Sequence, residues 1–224
     1  MTKQIPDKVL YKGQEYILAG LKGTGLFTPA DFGISSEMMG IMTACYRRYF
    51  CTYNCIDSEL HLTELVIVHH EDVELPVIGD VSPKSIPPQS DIIVFNSYQE
   101  LKIPCSFSGG LILVRNPVGS VSNYPSPIEF EEVVEVLFED GKFQYEIDHS
   151  ITVASLRKRV DNLSETLKSN SNTSEALRKW DSRNEKVSDA ESKLFDDYVN
   201  QVVDKTIEIE WSFVSDYEQQ PPRW

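Results

Sequence analysis

Between residues 151 and 205 the chain has neither glycine nor proline, although it carries 11 glycines and 12 prolines in all. Turns and helix breaks are therefore excluded as the organising feature of that stretch, and helix is expected there. No apolar run approaches the roughly 20 residues of a membrane helix. The start, MTKQIPDKVLYKGQEY, has no apolar core of a secretory leader, so a cytoplasmic protein is expected. Cysteine and histidine number only 4 each; in that setting the cysteines are expected to be reduced thiols. Positive charge is scarce as well. Against 35 Asp and Glu stand 21 Lys and Arg, a formal net charge of −14. That field repels a phosphate backbone, so nucleic acid is not an expected partner, whereas a basic protein or a cation is favoured. Catalytic signatures are lacking too: no Rossmann fingerprint, H-E-x-x-H, EF-hand loop or recognisable triad occurs. Pairs such as Glu131-Glu132 and Asp196-Asp197 are too ordinary in an acidic chain to carry an acid–base argument. No cofactor and no metal is expected.

All 11 glycines fall between Gly13 and Gly141, so the first 150 residues should be strands and turns. LYKGQEYIL, YNCIDSELHLTEL and VLFEDGKFQYEI each read as strand, short polar turn and alternating strand. They predict hairpins over 8–19, 43–69 and 131–149, with Asp140-Gly141 the strongest turn because a type I′ turn needs positive φ. The segment 91–116 supplies two or three further strands. The stretches 23–40, 75–90 and 115–130 read as irregular connections, the proline-rich 75–90 as a surface loop.

From Thr152 the period changes. Val153, Leu156, Val160, Leu163 and Leu167 recur at spacings of three and four, the mark of one helix face. SNSNTS at 169–174 interrupts, and a second stripe runs to about Lys205, which predicts an αα-hairpin. TIEIEWSFVSDY, 206–217, alternates and predicts a final strand returning to the sheet. The fold expected is α+β: a mostly antiparallel sheet built from hairpins, a C-terminal helical hairpin and the returning strand. It is one domain over 1–217, with a flexible tail at 218–224.

TACYRRYFCTYNC, 43–55, gathers three cysteines, three tyrosines and two arginines. Read as one strand, it puts Cys45, Cys51 and Cys55 on a common face. At about 3.3 Å per residue, Cys51 and Cys55 lie about 13 Å apart, too far for a shared zinc or a disulfide. The thiols are then small hydrophobes. His69-His70-Glu71-Asp72 resembles a ligand cluster, but adjacent strand residues face opposite ways, so a polar strand end is the plainer reading. SFSGGLIL, 106–113, lacks the lysine of a phosphate loop and the nucleophile elbow, and its glycine pair suggests a bulge or a close backbone approach. Arg47 and Arg48, with the neighbouring tyrosines, would stack on a base or clamp a carboxylate; an arginine paired with one of the chain's own carboxylates is the alternative favoured.

TACYRRYFCTY, LHLTEL, FSGGLILVRN and EEVVEVLFEDGK together resemble a family of uncharacterised bacterial proteins with a T-x-C-W-R-G-Y strand, a D-G-x-L-x-L hairpin and later F-x-G-G-L and V-H-E-L-x-F-E-x-G-x-L motifs. The resemblance covers residues 9 to 149 and implies no activity. Tyr46 stands in place of its tryptophan, Arg48 in place of its glycine and Val134 in place of its histidine.

Three functional expectations follow. The first is a non-enzymatic acidic binding protein that engages a basic protein, as an immunity or inhibitor protein does. The second is a small-molecule-binding protein or enzyme with its site over the sheet at Arg47, Tyr49, Ser106 and Ser108. The third is a structural subunit that oligomerises through its helices.

Overall fold

In the computed structural model, residues 2–70, 72–86, 94–169 and 218–219 are described. The strands are β1 Lys8–Tyr11, β2 Gln14–Thr24, β3 Tyr49–Ile56, β4 Glu59–His69, β5 Lys84–Ile86, β6 Val94–Tyr98, β7 Ile103–Pro104, β8 Ser108–Pro117, β9 Phe130–Glu139, β10 Lys142–Asp148 and β11 Glu218–Gln219. Among the described residues one α-helix, α1, spans Ser150–Ser169. Residues 1–150 and the strand at 218–219 belong to one compact unit, and residues from 151 belong to a second.

The first unit is a single sheet in the order β10-β9-β8-β2-β1-β3-β4-β6-β5. A further pairing, Lys142 with Glu59, joins β10 to β4 and closes seven of these strands into a ring. All pairings are antiparallel except β1 with β3, which is parallel. The three hairpins turn on two residues each, and both turn residues have positive φ: Lys12-Gly13, Asp57-Ser58 and Asp140-Gly141. Such turns carry the right-handed strand twist that lets a sheet curl. Alternation does the rest. Val9, Tyr11, Leu18, Tyr53, Leu62, Leu65, Ile67, Leu111, Leu113, Val136 and Phe138 pack into one buried cluster. Burying each such side chain stabilises the fold by about 1.5–3 kcal/mol.

Where β2 meets β8, the ring depends on glycine. A Cβ on Gly109 would lie 2.0 Å from the Lys22 carbonyl oxygen, and one on Gly23 would lie 2.2 Å from that of Ser108. The glycine pair of SFSGGLIL therefore marks a close backbone approach, one of the two alternatives its sequence offered.

Several expectations change. TACYRRYFCTYNC is not one strand, because β3 begins only at Tyr49. Before it, the amide of Cys45 donates to the Met42 carbonyl (3.1 Å) and that of Arg48 to the Cys45 carbonyl (2.9 Å), and Arg48 has φ 67°. These local bonds make 42–48 a double turn, so a common strand face holds for Cys51 and Cys55 and not for Cys45. The 75–90 stretch is more than a surface loop: Leu75 and Ile78 are buried in the core, and residues 84–86 form the edge strand β5. The helix expected from Thr152 starts at Ser150 and buries Val153 and Leu156. The second helix and the strand over 206–217 lie outside the described residues. Glu218 and Gln219, assigned by sequence to the tail, pair with Leu21 and Gly20 of β2.

Candidate functional site

The double turn at 42–48 is tied to the ring by the segment before β1. The Gln4 side chain donates to the Thr43 carbonyl (2.7 Å) and accepts from the Tyr46 amide (3.1 Å), while the Ile5 amide donates to the Ala44 carbonyl (2.9 Å). Next along the chain stands Asp7. Its carboxylate receives Arg47 through both terminal nitrogens, at 2.9 and 2.7 Å, and also accepts the Cys51 amide at 2.8 Å. The side chains of Arg47 and Asp7 are only 8% and 4% exposed. Burial alone would lower the pKa of the Arg47 guanidinium; the Asp7 charge and its hydrogen bonds more than offset this, and the net shift is upward. The guanidinium also lies 5.1 Å from the centre of the Tyr49 ring. Burial above all pushes the Tyr49 phenol up to about 12.

Arg47 contributes to the walls of two depressions. A cleft of about 300 Å³ is lined by Asp7, Leu21, Phe27, Arg47, Tyr49 and Tyr53, with the backbone of 23–25 along one side. A larger groove of about 630 Å³ is lined by Ser36, Met39, Ile41, Met42, Tyr46, Arg47, Arg48 and Tyr124. The groove is open: Ile41 is 72% and Tyr46 45% exposed. Its floor is fixed by backbone bonds, with the Gly40 amide donating to the Val68 carbonyl (2.9 Å) and the Val68 amide to that of Arg48 (2.8 Å). Arg48 Nη1 donates to the Ser36 carbonyl at 2.9 Å.

Of the four residues singled out by sequence, Arg47 and Tyr49 come together as wall residues. Ser106 and Ser108 line neither depression. Ser108 Oγ instead accepts the Asp140 amide at 2.8 Å and holds the β9–β10 turn. Ser106 is exposed, and its carbonyl oxygen would lie 2.4 Å from a Cβ on Gly25. Sequence reasoning passed over Met39, Ile41, Met42 and Tyr124, which fall in or beside the segments read as irregular connections. The available signal was two methionines and an isoleucine in a row that fits neither strand nor helix period.

The cysteines offer no ready nucleophile. All four are free thiols. Burial is the main cause that pushes Cys45 up to about 11 and Cys105 up to about 12, and it raises Cys51 well above the ordinary range. A thiol that stays protonated at neutral pH is inert. His69 is buried at the end of β4, with Nδ1 2.7 Å from the His70 carbonyl oxygen. Among the described residues no three His, Cys, Asp or Glu side chains converge as a metal site would require.

Fold and site thus define a class in structural terms: a ring of strands closed by the pairing of β10 with β4, bearing an apolar groove edged by arginines. Compared with known proteins, the chain matches no family model, no curated protein and no solved structure. No helix among the described residues is long and apolar enough to cross a membrane.

Proposed function

We propose that this is a cytoplasmic ligand-binding protein whose recognition site is the groove lined by Ser36, Met39, Ile41, Met42, Tyr46, Arg47, Arg48 and Tyr124. One observation carries the reading: the groove, at about 630 Å³, has the size and mixed character of a ligand site, apolar side chains with a few placed polar groups. Its lining includes two arginines and two tyrosines, side chains suited to hold and stack. Methionine adapts its shape to what it touches, and Ile41 adds apolar surface beside Met39 and Met42. Binding of a neutral, apolar fluorophore tests the groove. Ile41→Asp places a charge on a residue 72% exposed, so the fold should tolerate it. Affinity should fall by about tenfold, a loss of about 1.4 kcal/mol; unchanged affinity in that variant sinks the reading.

The net charge of −14 favours a second reading, in which the acidic surface engages a basic protein. Such an interaction would be lost as salt rises, since exposed charges are screened within about 8 Å at physiological ionic strength. Capture of basic proteins that is insensitive to salt would count against it.

A further inference from the structure

Arg48 differs from its neighbours in what faces it. Arg47 is clamped on both terminal nitrogens by Asp7. Arg115 is clamped by Glu132, from Nε at 2.9 Å and from Nη2 at 2.8 Å. Arg48, also in the groove wall, donates to the Ser36 carbonyl and forms no ion pair with any described residue. A guanidinium carries five N–H donors, so that single bond leaves most of them for a ligand. Arg47 and Arg115 each hold a carboxylate, and Arg48 does not.

The backbone is arranged to keep it there. Arg48 has φ 67°, a conformation that a side chain with a Cβ adopts at a cost. It is held by its own amide on the Cys45 carbonyl and by its carbonyl under the Val68 amide. Strain of this kind, kept at a residue that faces a groove, points to a use for the side chain.

Resting on the reading of the groove as a ligand site, we propose that its ligand is an amphiphilic monocarboxylate, with the carboxylate on Arg48 and an apolar body against Met39, Ile41, Met42, Tyr46 and Tyr124. The guanidinium fork matches one carboxylate with two parallel hydrogen bonds. A singly charged anion is favoured over a phosphate because a net charge of −14 opposes each added negative charge. An apolar body of about ten carbons is well within what grooves of this size take.

The test compares decanoate, decanol and decyltrimethylammonium, each titrated below its aggregation threshold into the full chain and followed by calorimetry. Decanoate should bind about tenfold or more tightly than decanol. Arg48→Gln should remove that preference and leave decanol affinity in place, whereas Ile41→Asp should weaken both. In the unsubstituted protein, the Arg48 side-chain nitrogen resonances should shift with decanoate and not with decanol, a readout that does not depend on a variant folding. If decanoate and decanol bind equally, or if a preference for decanoate survives Arg48→Gln, the carboxylate assignment is overturned while the groove remains a ligand site. A preference for the ammonium has the same consequence. If none of the three binds, the assignment and the reading of the groove both fall.

Discussion

Arg47 and Arg48 are adjacent in sequence and both border the groove, but their charges are met in different ways. Arg47 faces the strand ring, where its charge is removed from water and matched by Asp7. Arg48 belongs to the open groove, where its charge is met by one backbone carbonyl. In the ring the Arg47 charge has its carboxylate and the core side chains are covered; in the groove Ile41 stays exposed and a cation stays available. The contrast separates a group kept for folding from one kept for binding. A buried pair confers little net stability, because desolvation offsets attraction, but removing one partner strands the other charge. Removing Arg48, half-buried and without a carboxylate partner, strands no charge.

Removing one partner from the pair should produce the largest effect. Asp7→Ala leaves the Arg47 guanidinium buried without its carboxylate and also orphans the Cys51 amide. A loss of about 3–5 kcal/mol is expected, read as a shift in urea midpoint with little change in slope. If the loss is below about 1 kcal/mol, Arg47 is better hydrated than its burial implies, and the contrast with Arg48 dissolves.

Alkaline pH probes the buried thiols and a buried phenol next. Desolvation raises Cys45 to about 11, Cys105 to about 12 and Tyr98 to about 12, from ordinary values of 9.0 for the thiols and 10.0 for the phenol. Because these folded-state values are raised, the folded chain retains protons that the unfolded chain releases. The stability they contribute is full below about pH 9 and is lost as pH rises towards 12. Over the first unit above pH 9 the loss should be about 1 kcal/mol for each buried thiol. A stability profile flat to pH 11 would show the thiols to be solvated.

Gly109→Ala tests the seam between β2 and β8. The added methyl meets the Lys22 carbonyl in a conformation, φ 147°, that only glycine adopts readily. About 1–3 kcal/mol should be lost, since a backbone neighbour has little room to give. Thermal melting measures it, and an unchanged midpoint would mean that the strands separate there at no cost.

These positions also mark what was legible in the sequence. Asp140-Gly141 declared its hairpin because a type I′ turn has a local chemical requirement. The Gly109 contact was half legible: glycine signals that something approaches, and its location beside β2 is tertiary. Arg47 could be read as needing a carboxylate, but nothing local selects Asp7, 40 residues away, from the 35 acidic residues available. The start of β3 was misplaced because Ala44-Cys45-Tyr46 runs into the strand with no glycine or proline between them, while the bonds of that segment are those of turns. Ring closure through Lys142 and Glu59 left no sequence trace, because pairing between distant edges depends on accumulated twist. The groove was invisible as a site because its walls come from two irregular segments whose side chains share no period.

The smallest effect on stability is expected where the loss of binding should be largest. Arg48→Gly relieves a left-handed conformation that costs about 1–2 kcal/mol with a side chain present. Against this stand about 0.5–1 kcal/mol of added backbone freedom in the unfolded state and about 0.5 kcal/mol for one exposed hydrogen bond to Ser36. The terms nearly cancel, so the net change should lie between about −0.5 and 1 kcal/mol in favour of the variant, read as a melting temperature that stays within a few degrees. Arg47→Gly, one residue earlier, removes the partner of a buried carboxylate and should lose several kcal/mol. The two substitutions differ by a single position and by the environment each side chain occupies. If Arg48→Gly destabilises the chain as Arg47→Gly does, Arg48 is a folding residue and its strained backbone needs no functional explanation. If stability holds while carboxylate binding disappears, the strain is kept for the ligand.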